Sequence, residues 1–221
     1  MRENFNLELE SLTEGIIKMG NLVEESFTNA TKVLLNGDKN LAEQNIEDDK
    51  KIDQQMKDIE TLCLRLLLSQ QPVAHDLRFI SASLKMVSDL ERIGDQCADI
   101  SEIVLTLSNK NASPVQLSTI PLMIEKIGQM ISQSVDAFIL KDVTMAKDVC
   151  CVDDIIDRAF TESKKELIES IRSSSANADN VIDSFMIAKY LERIGDHAVN
   201  VAPIKNVIAP MVRRFLRVQW R

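Results

Sequence analysis

The hexapeptide Leu-Glu-Arg-Ile-Gly-Asp occurs twice in this chain, at residues 90–95 and again at 191–196. By composition, a chance repeat of six residues in a chain of this length has a probability on the order of one in a thousand. An acidic motif precedes each copy, Asp49-Lys-Lys-Ile-Asp53 the first and Asp153-Asp-Ile-Ile-Asp157 the second. We therefore predict two tandem copies of one structural unit, each with a D-x-x-x-D segment followed by an E-x-x-x-D segment.

The chain as a whole has the pattern of long amphipathic helices. Apolar residues recur every three or four positions, and only six Gly and five Pro residues interrupt them. Strand-like runs of β-branched and aromatic residues are scarce, so the predicted fold class is all-α. Six long helices are expected, over about residues 12–36, 40–69, 73–108, 116–140, 142–173 and 178–202.

Helix count and repeat together predict the domain organisation. Residues 1–110 and 111–202 are each expected to form a three-helix bundle, and the polar segment 109–113 with Pro114 separates them. Pro203 should end or kink the last helix, because proline cannot donate within a helix. The remaining residues, 203–221, form a basic and apolar tail that suits a membrane surface, an acidic partner, packing on the protein itself or disorder.

Charge and composition exclude several classes of protein. The net charge of −8 argues against a nucleic-acid binder, which gains affinity from Lys and Arg residues that displace phosphate counterions. The N-terminus lacks the order of a signal peptide and no apolar run approaches the roughly 18 residues of a membrane span, so a cytoplasmic location is expected. Four cysteines show no C-x-x-C spacing, which favours buried or inert thiols over disulfides and metal ligation.

Paired carboxylates are the most informative side chains. Residues four apart on a helix share one face about 5–6 Å apart, so each acidic motif places two carboxylates side by side. A single pair means little, because 34 acidic residues among 221 give roughly five such pairs by chance. On a helical wheel, however, all four pairs border the apolar face, whereas Lys85, Arg92, Gln96, Arg193 and His197 fall on the opposite side, which is predicted to be solvated.

Carboxylates without basic partners at a packing seam are costly, and protonation or a bound cation relieves that cost. Two helices with one acid pair each would bring four carboxylates together, and oxygen ligands suit hard ions such as Mg²⁺, Mn²⁺, Ca²⁺ or Fe³⁺. A simpler alternative is that the acids border the core and reach water. The candidate metal ligands are Asp49, Asp53, Glu91, Asp95, Asp153, Asp157, Glu192 and Asp196, with Asp99 and Asn200 as possible additions.

Enzyme signatures are absent from the sequence. Neither His75 nor His197 has a Glu three residues before it, as the ligands of di-iron bundles require. No P-loop, H-E-x-x-H or G-x-S-x-G motif occurs, so catalysis has no support and a capping or packing role is expected for both histidines. Gly94 and Gly195 lie inside predicted helices, which indicates a close helix approach, a ligand near the backbone, or simple tolerance.

Three segments resemble the signature stretches of the PhoU family: Gln71-Pro-Val-Ala-His-Asp-Leu-Arg78, Asp89-Leu-Glu-Arg-Ile-Gly-Asp95 and Tyr190-Leu-Glu-Arg-Ile-Gly-Asp-His-Ala-Val-Asn200. The resemblance implies a cytoplasmic adaptor without catalysis, often a dimer. It would act with the ATPase of a phosphate ABC transporter and a sensor histidine kinase to repress phosphate-starvation genes. It also implies metal clusters, of iron or of ions such as Mn, Mg or Zn, on the eight acidic positions given above. One departure is Pro203, since the family usually continues the last helix with a Glu.

Three functional hypotheses follow from these patterns. The leading one is a metal-dependent adaptor that reports the state of the transporter to the kinase and regulates phosphate homeostasis negatively. A second is an accessory subunit of another phosphate permease. The third is a metalloenzyme with open coordination positions at carboxylate-bound metal clusters.

Overall fold

The computed structural model describes residues 2–69, 73–173 and 177–202, and within these ranges every regular element is an α-helix. The six helices are α1 (Arg2–Asn36), α2 (Lys39–Ser69), α3 (Ala74–Asn109), α4 (Ile120–Leu140), α5 (Val143–Arg172) and α6 (Ala178–Val201). The predicted all-α fold of six long helices is confirmed. The predicted tail, 203–221, lies outside the described residues.

The same local device joins the first two helices of each repeat. Gly37 ends α1 with φ 67°, and Lys141 follows α4 with φ 56°, so both occupy the left-handed conformation that terminates helices. An aspartate comes next in each case. The Asp38 carboxylate accepts from the amide of Leu41 at 3.1 Å, and that of Asp142 accepts from the amide of Thr144 at 2.7 Å. These caps satisfy amides that have no partner inside the helix.

The predicted start of the fourth helix, near residue 116, is wrong, because α4 begins at Ile120. The backbone amide of Ser118 donates to Glu166 Oε2 of α5 at 2.9 Å, which holds the preceding segment against α5 in a non-helical path. Pro121 then lies in the first turn of α4, where a missing amide hydrogen has no cost. The other predicted boundaries differ little, except that α1 starts well before Leu12.

The two repeats share one apolar core. In the first, α2 packs against α1 and α3; in the second, α5 packs against α4 and α6. Across the repeats α3 packs on α6 and α1 on α4, and the buried side chains form one continuous cluster. At Gly20 of α1 an added Cβ would lie only 3.1 Å from Val135 Cγ1 of α4, so glycine permits that approach. The two predicted bundles, 1–110 and 111–202, therefore pack as one body over their described residues.

The α3–α6 interface overturns part of the helical-wheel prediction. Gln96 and His197 were placed on solvated faces, yet only 5% and 8% of their surfaces are exposed. A helical wheel drawn for one repeat cannot show that α6 of the other repeat covers the predicted solvated face of α3. It also cannot show that α3 covers the predicted solvated face of α6. Arg92 and Arg193 are exposed, as predicted.

Two further predictions concern chain ends and thiols. The last helix stops at Val201, and Ala202 is extended with φ −76° and ψ 102°, so α6 ends before Pro203 as expected. Cys63 and Cys97 lie in the core as free thiols, and burial raises the pKa of Cys63 to about 12. No helix in the described ranges combines the length and apolar composition that a membrane crossing requires.

Candidate metal centres

The first acidic cluster lies where α2 packs on α3. Asp49 and Asp53 project from α2, and Glu91 and Asp95 project from α3. Carboxylate oxygens of Asp49, Asp53 and Asp95 lie within 4.8 Å of one another, and all three residues are half-buried. Oxygens on opposite sides of one hard cation are about 4–5 Å apart, since each metal–oxygen bond is about 2.0–2.6 Å long. The spacing of this cluster therefore fits a common ion.

Gly94, the fifth residue of the first hexapeptide, makes this convergence possible. A Cβ at this position would lie 2.8 Å from Ile52 Cδ1 and 3.0 Å from Asp49 Oδ1. Both distances are shorter than ordinary van der Waals contact, so glycine lets α2 and the Asp49 carboxylate approach the backbone of α3. This answers the question that the mid-helix glycine raised in the sequence: it serves a close helix approach.

The electrostatics of the first cluster are dominated by burial and by the repulsion between its own carboxylates. Burial raises the pKa of Asp49 to about 6, and the charges of Asp95 and Asp53 add to the rise. Burial also raises the pKa of Asp95, with the charge of Asp53 next, and that of Glu91, with the charge of Asp95 next, while the charge of Arg92 opposes both rises. Oδ1 of Asp49 is buried and has no hydrogen-bond partner. An orphaned buried oxygen is what a proton or a cation would satisfy.

The second cluster repeats this arrangement between α5 and α6. Asp153 and Asp157 project from α5, and Glu192 and Asp196 from α6. A Cβ at Gly195 would lie 3.3 Å from Asp153 Oδ1, so the same glycine of the hexapeptide again faces the first acid of the D-x-x-x-D motif. Burial raises the pKa of Asp153 to about 6, followed by the charges of Asp196 and Asp157.

The two clusters differ in exposure and in charge. Asp157 and Asp196 are exposed, whereas Asp53 and Asp95 are half-buried. Across the described residues, only the first cluster brings three carboxylate oxygens within 4.8 Å of one another. The Lys189 ammonium pairs with Glu192 in the second cluster. No ion pair in the described ranges involves the four carboxylates of the first.

The two additional candidates, Asp99 and Asn200, have other surroundings. Burial raises the pKa of Asp99, and a hydrogen bond donated by the Tyr190 hydroxyl of α6 and the charge of Arg193 oppose that rise. Asp99 is thus directed toward α6, although its charge still contributes to the raised pKa values of Asp49 and Asp95. Asn200 lies exposed in the last turn of α6.

A buried polar contact between the clusters was not predicted from the sequence. Nδ1 of His197 lies 3.0 Å from Oδ1 of Asp89, and both side chains are only 11% exposed. The contact is a hydrogen bond in which the imidazole Nδ1–H donates to the carboxylate when that carboxylate is ionised. Asp89 immediately precedes the first hexapeptide and His197 follows the second, so the contact joins α3 to α6. On the helical wheel Asp89 falls on the same side of α3 as Lys85 and Gln96, which is predicted to be solvated, so no local signal in the sequence marked it as buried.

Comparison with known proteins follows the same division into halves. The chain matches the family model described as the PhoU domain twice, over residues 16–104 and 120–204. The first match covers most of α1 to α3, and the second covers α4 to α6. A phosphate-specific transport system accessory protein PhoU homolog from Pseudomonas aeruginosa is 33% identical over 202 residues, which is 91% of this chain and 84% of that relative.

Two solved structures have the same fold. The crystal structure of PhoU from Pseudomonas aeruginosa matches with a TM-score of 0.86 at 33% identity, over 90% of this chain and 96% of that one. The phosphate transport system regulatory protein PhoU from Streptococcus pneumoniae matches with a TM-score of 0.81 at 31% identity, over 90% of this chain and 93% of that one.

Proposed function

This chain belongs to the PhoU family, and we propose that it is a non-catalytic accessory protein that regulates a phosphate-specific transport system. The observation that carries the proposal is the double PhoU-domain match, which includes both acidic motifs of each half. Relatives that align over most of their length are named as accessory or regulatory proteins of phosphate transport. To this accessory role we add specific partners and bound metal ions.

At the finer level the protein is a cytoplasmic homodimeric adaptor. It couples a phosphate ABC transporter, through the ATPase subunit, to a sensor histidine kinase, and it represses phosphate-starvation genes when phosphate is plentiful. The family resemblance supports these partners. The test is co-purification of the tagged chain with each partner, together with reporter expression in a strain that lacks the chain. Constitutive expression in the deletion strain is expected; normal repression there would contradict negative regulation.

The second part of the proposal is that the acidic clusters bind metal ions. Support comes from the converging oxygens of Asp49, Asp53 and Asp95, the orphaned buried Oδ1 of Asp49, and the glycine that admits it. A bound cation would supply the positive charge that these oxygens lack and would link α2 to α3 and α5 to α6. The residues that would hold it are Asp49, Asp53, Glu91 and Asp95 in the first cluster and Asp153, Asp157, Glu192 and Asp196 in the second.

Metal content and titration test this assignment. The chain is analysed for metals as isolated, stripped with a chelator, and titrated with Mg²⁺, Mn²⁺, Fe³⁺ and Zn²⁺. The double variant Glu91→Gln with Glu192→Gln is expected to lose bound metal, because each change removes one charged ligand from a cluster. Its matched control, Glu43→Gln with Glu169→Gln, removes two exposed carboxylates from α2 and α5 and should bind normally. Unchanged stoichiometry in the first double variant would contradict the assigned ligands.

A further inference from the structure

Lys189 is the one basic residue paired with a carboxylate of either acidic cluster in the described part of the chain. It lies one helical turn before Glu192 on α6, and its ammonium contacts Oε2 of that residue. The same nitrogen lies 5.2 Å from the ring centroid of Phe160 on α5. The Glu192 side chain is only 13% exposed, so this ion pair is partly shielded from water. The ammonium is thus held between a carboxylate and an aromatic face, which stabilises a cation from two sides.

The Lys189 charge lies beside Glu192, a proposed ligand of the second cluster, and Asp196 follows Glu192 by one turn on the same helix. A cation that enters this cluster must take an oxygen of Glu192 away from an existing positive partner. It would also come close to the Lys189 ammonium itself, and like charges repel most strongly where water is partly excluded.

The first repeat has no such residue. Lys189 stands two residues before the second hexapeptide, and Ser88 occupies the same place before the first. Serine carries no charge, and the carboxylates of the first cluster have no ion-pair partner among the described residues. A cation that enters the first cluster therefore breaks no ion pair among the described residues, and it satisfies the orphaned oxygen of Asp49.

We propose that Lys189 is an internal counter-ion of the second cluster, so that metal fills the first cluster before the second. The inference rests on the proposed metal binding and adds an order to it. Lys189 is a positioning residue here, since it acts on the ion through Glu192 and not as a ligand. Without metal, one carboxylate of the second cluster keeps an ion-pair partner, whereas those of the first have none among the described residues.

Calorimetric titration of the chelator-stripped full chain with Mn²⁺ tests the order. The wild-type protein shows two classes of site with unequal affinity. The double variant Glu91→Gln with Asp95→Asn loses the tighter class, and Asp153→Asn with Asp157→Asn loses the weaker class. Equal affinities in the wild type, or loss of the opposite class in either double variant, would overturn the proposal.

Single substitutions at Lys189 isolate its charge. Lys189→Ser, which introduces the residue of the first repeat, tightens the weaker class by about tenfold and leaves the tighter class unchanged. Lys189→Arg leaves the two Mn²⁺ affinities unequal, because arginine keeps a positive charge beside Glu192. The matched control is Lys164→Ser, which also removes an ammonium over the Phe160 ring, at 4.6 Å, but has no ion pair with the cluster. It leaves both affinities as they are.

Thermal unfolding in chelator provides a readout that needs no metal. Lys189→Ser lowers the melting temperature by about 1–3 °C, because the second cluster then lacks its balancing charge, and Lys189→Arg does not. If both Mn²⁺ classes remain and Lys189→Ser alters neither affinity, the counter-ion role is wrong and metal binding stands. If the wild-type chain binds no Mn²⁺ at all, both proposals fail.

Discussion

The two acidic clusters share their backbone framework and differ in their electrostatics. In both, a glycine of the hexapeptide lets the first acid of a D-x-x-x-D motif lie against the neighbouring helix. In both, that acid has a pKa raised to about 6. Yet the first cluster is half-buried and has no ion pair among the described residues, whereas the second has two exposed carboxylates and a shielded one, Glu192, that pairs with Lys189. The difference teaches that the repeated residues determine helix packing, whereas residues outside the repeated motif determine the charge at each site.

The largest expected effect concerns the place where the repeats meet. His197 and Gln96 follow the two hexapeptides at equivalent positions, but His197 pairs with Asp89, whereas Oε1 of Gln96 is buried without a partner. His197→Ala should cost about 3 kcal/mol of unfolding free energy, since it leaves a buried acid unpaired. Gln96→Leu should be close to neutral or stabilising. Denaturant unfolding measures both, and His75→Ala is the exposed control. Equal losses of unfolding free energy at His197 and Gln96 would show that the His197–Asp89 contact does not stabilise the fold.

Metal should stabilise the two clusters unequally. At a free Mn²⁺ concentration of 100 times Kd, a site that exists only in the folded state adds about 2.7 kcal/mol. We therefore expect Mn²⁺ to raise the melting temperature of the wild-type chain at pH 7 and a chelator to reverse the rise. Asp49→Asn with Asp95→Asn should remove more of this stabilisation at low Mn²⁺ than Asp153→Asn with Asp196→Asn. The same loss from either double variant would contradict the ranking of the clusters.

The pH dependence of the metal-free chain should show where the clusters are alike. Burial raises the pKa values of Asp49 and Asp153 to about 6, so the folded chain holds protons there that the unfolded chain releases near pH 4. Stability is thus greatest below about pH 4 for these two groups and falls as the pH rises through about 6. After allowance for solvent screening of half-buried groups, Asp49 and Asp153 each lower the unfolding free energy by about 1 kcal/mol over this pH range. Asp49→Asn and Asp153→Asn should flatten the curve equally, as measured by denaturant unfolding in chelator.

The smallest expected difference is in stability, between alanine substitutions at Gly94 and at Gly195. Alanine gains about 1 kcal/mol over glycine inside a helix, and a forced contact opposes this gain. The added Cβ would meet Ile52 at 2.8 Å in Gly94→Ala, but in Gly195→Ala its nearest neighbour is Asp153 Oδ1 at 3.3 Å. We expect Gly94→Ala to be less stable than Gly195→Ala by about 1 kcal/mol, as measured in chelator. A reversed order would show that α2 adapts more easily than α5.

Much of this architecture could be read from the sequence. The repeated hexapeptide and the helical periodicity predicted six helices, and the i, i+4 acid pairs predicted which helices meet at each cluster. These signals are local, because a helical face is determined by residues within a few turns. The burial of His197 and Gln96 could not be predicted in this way, since it depends on α3 and α6 of different repeats coming together. The late start of α4 was hidden for a similar reason, because a glutamate of α5 holds the preceding segment.

The surroundings of some cluster residues could be predicted from local spacing, and those of others could not. Asp49, Asp53 and Asp95 converge as their spacing indicated, whereas the contact of Asp99 with Tyr190 required knowledge of the neighbouring repeat. The Lys189–Glu192 pair had the visible i, i+3 spacing, but its consequence depends on the burial of Glu192. Sequence identifies which side chains carry charge, and the packing decides how much of that charge remains unbalanced.

The covering of α3 by α6 has a consequence during protein synthesis. Asp89 leaves the ribosome roughly a hundred residues before His197, which at about 5–20 residues per second is a delay of about 5–20 s. Over that interval the nascent first repeat displays an uncovered face that carries an unpaired acid and the side chain of Gln96. Transiently exposed surface makes incomplete chains prone to aggregation, so a chain truncated before α6 should aggregate more readily than the full-length chain.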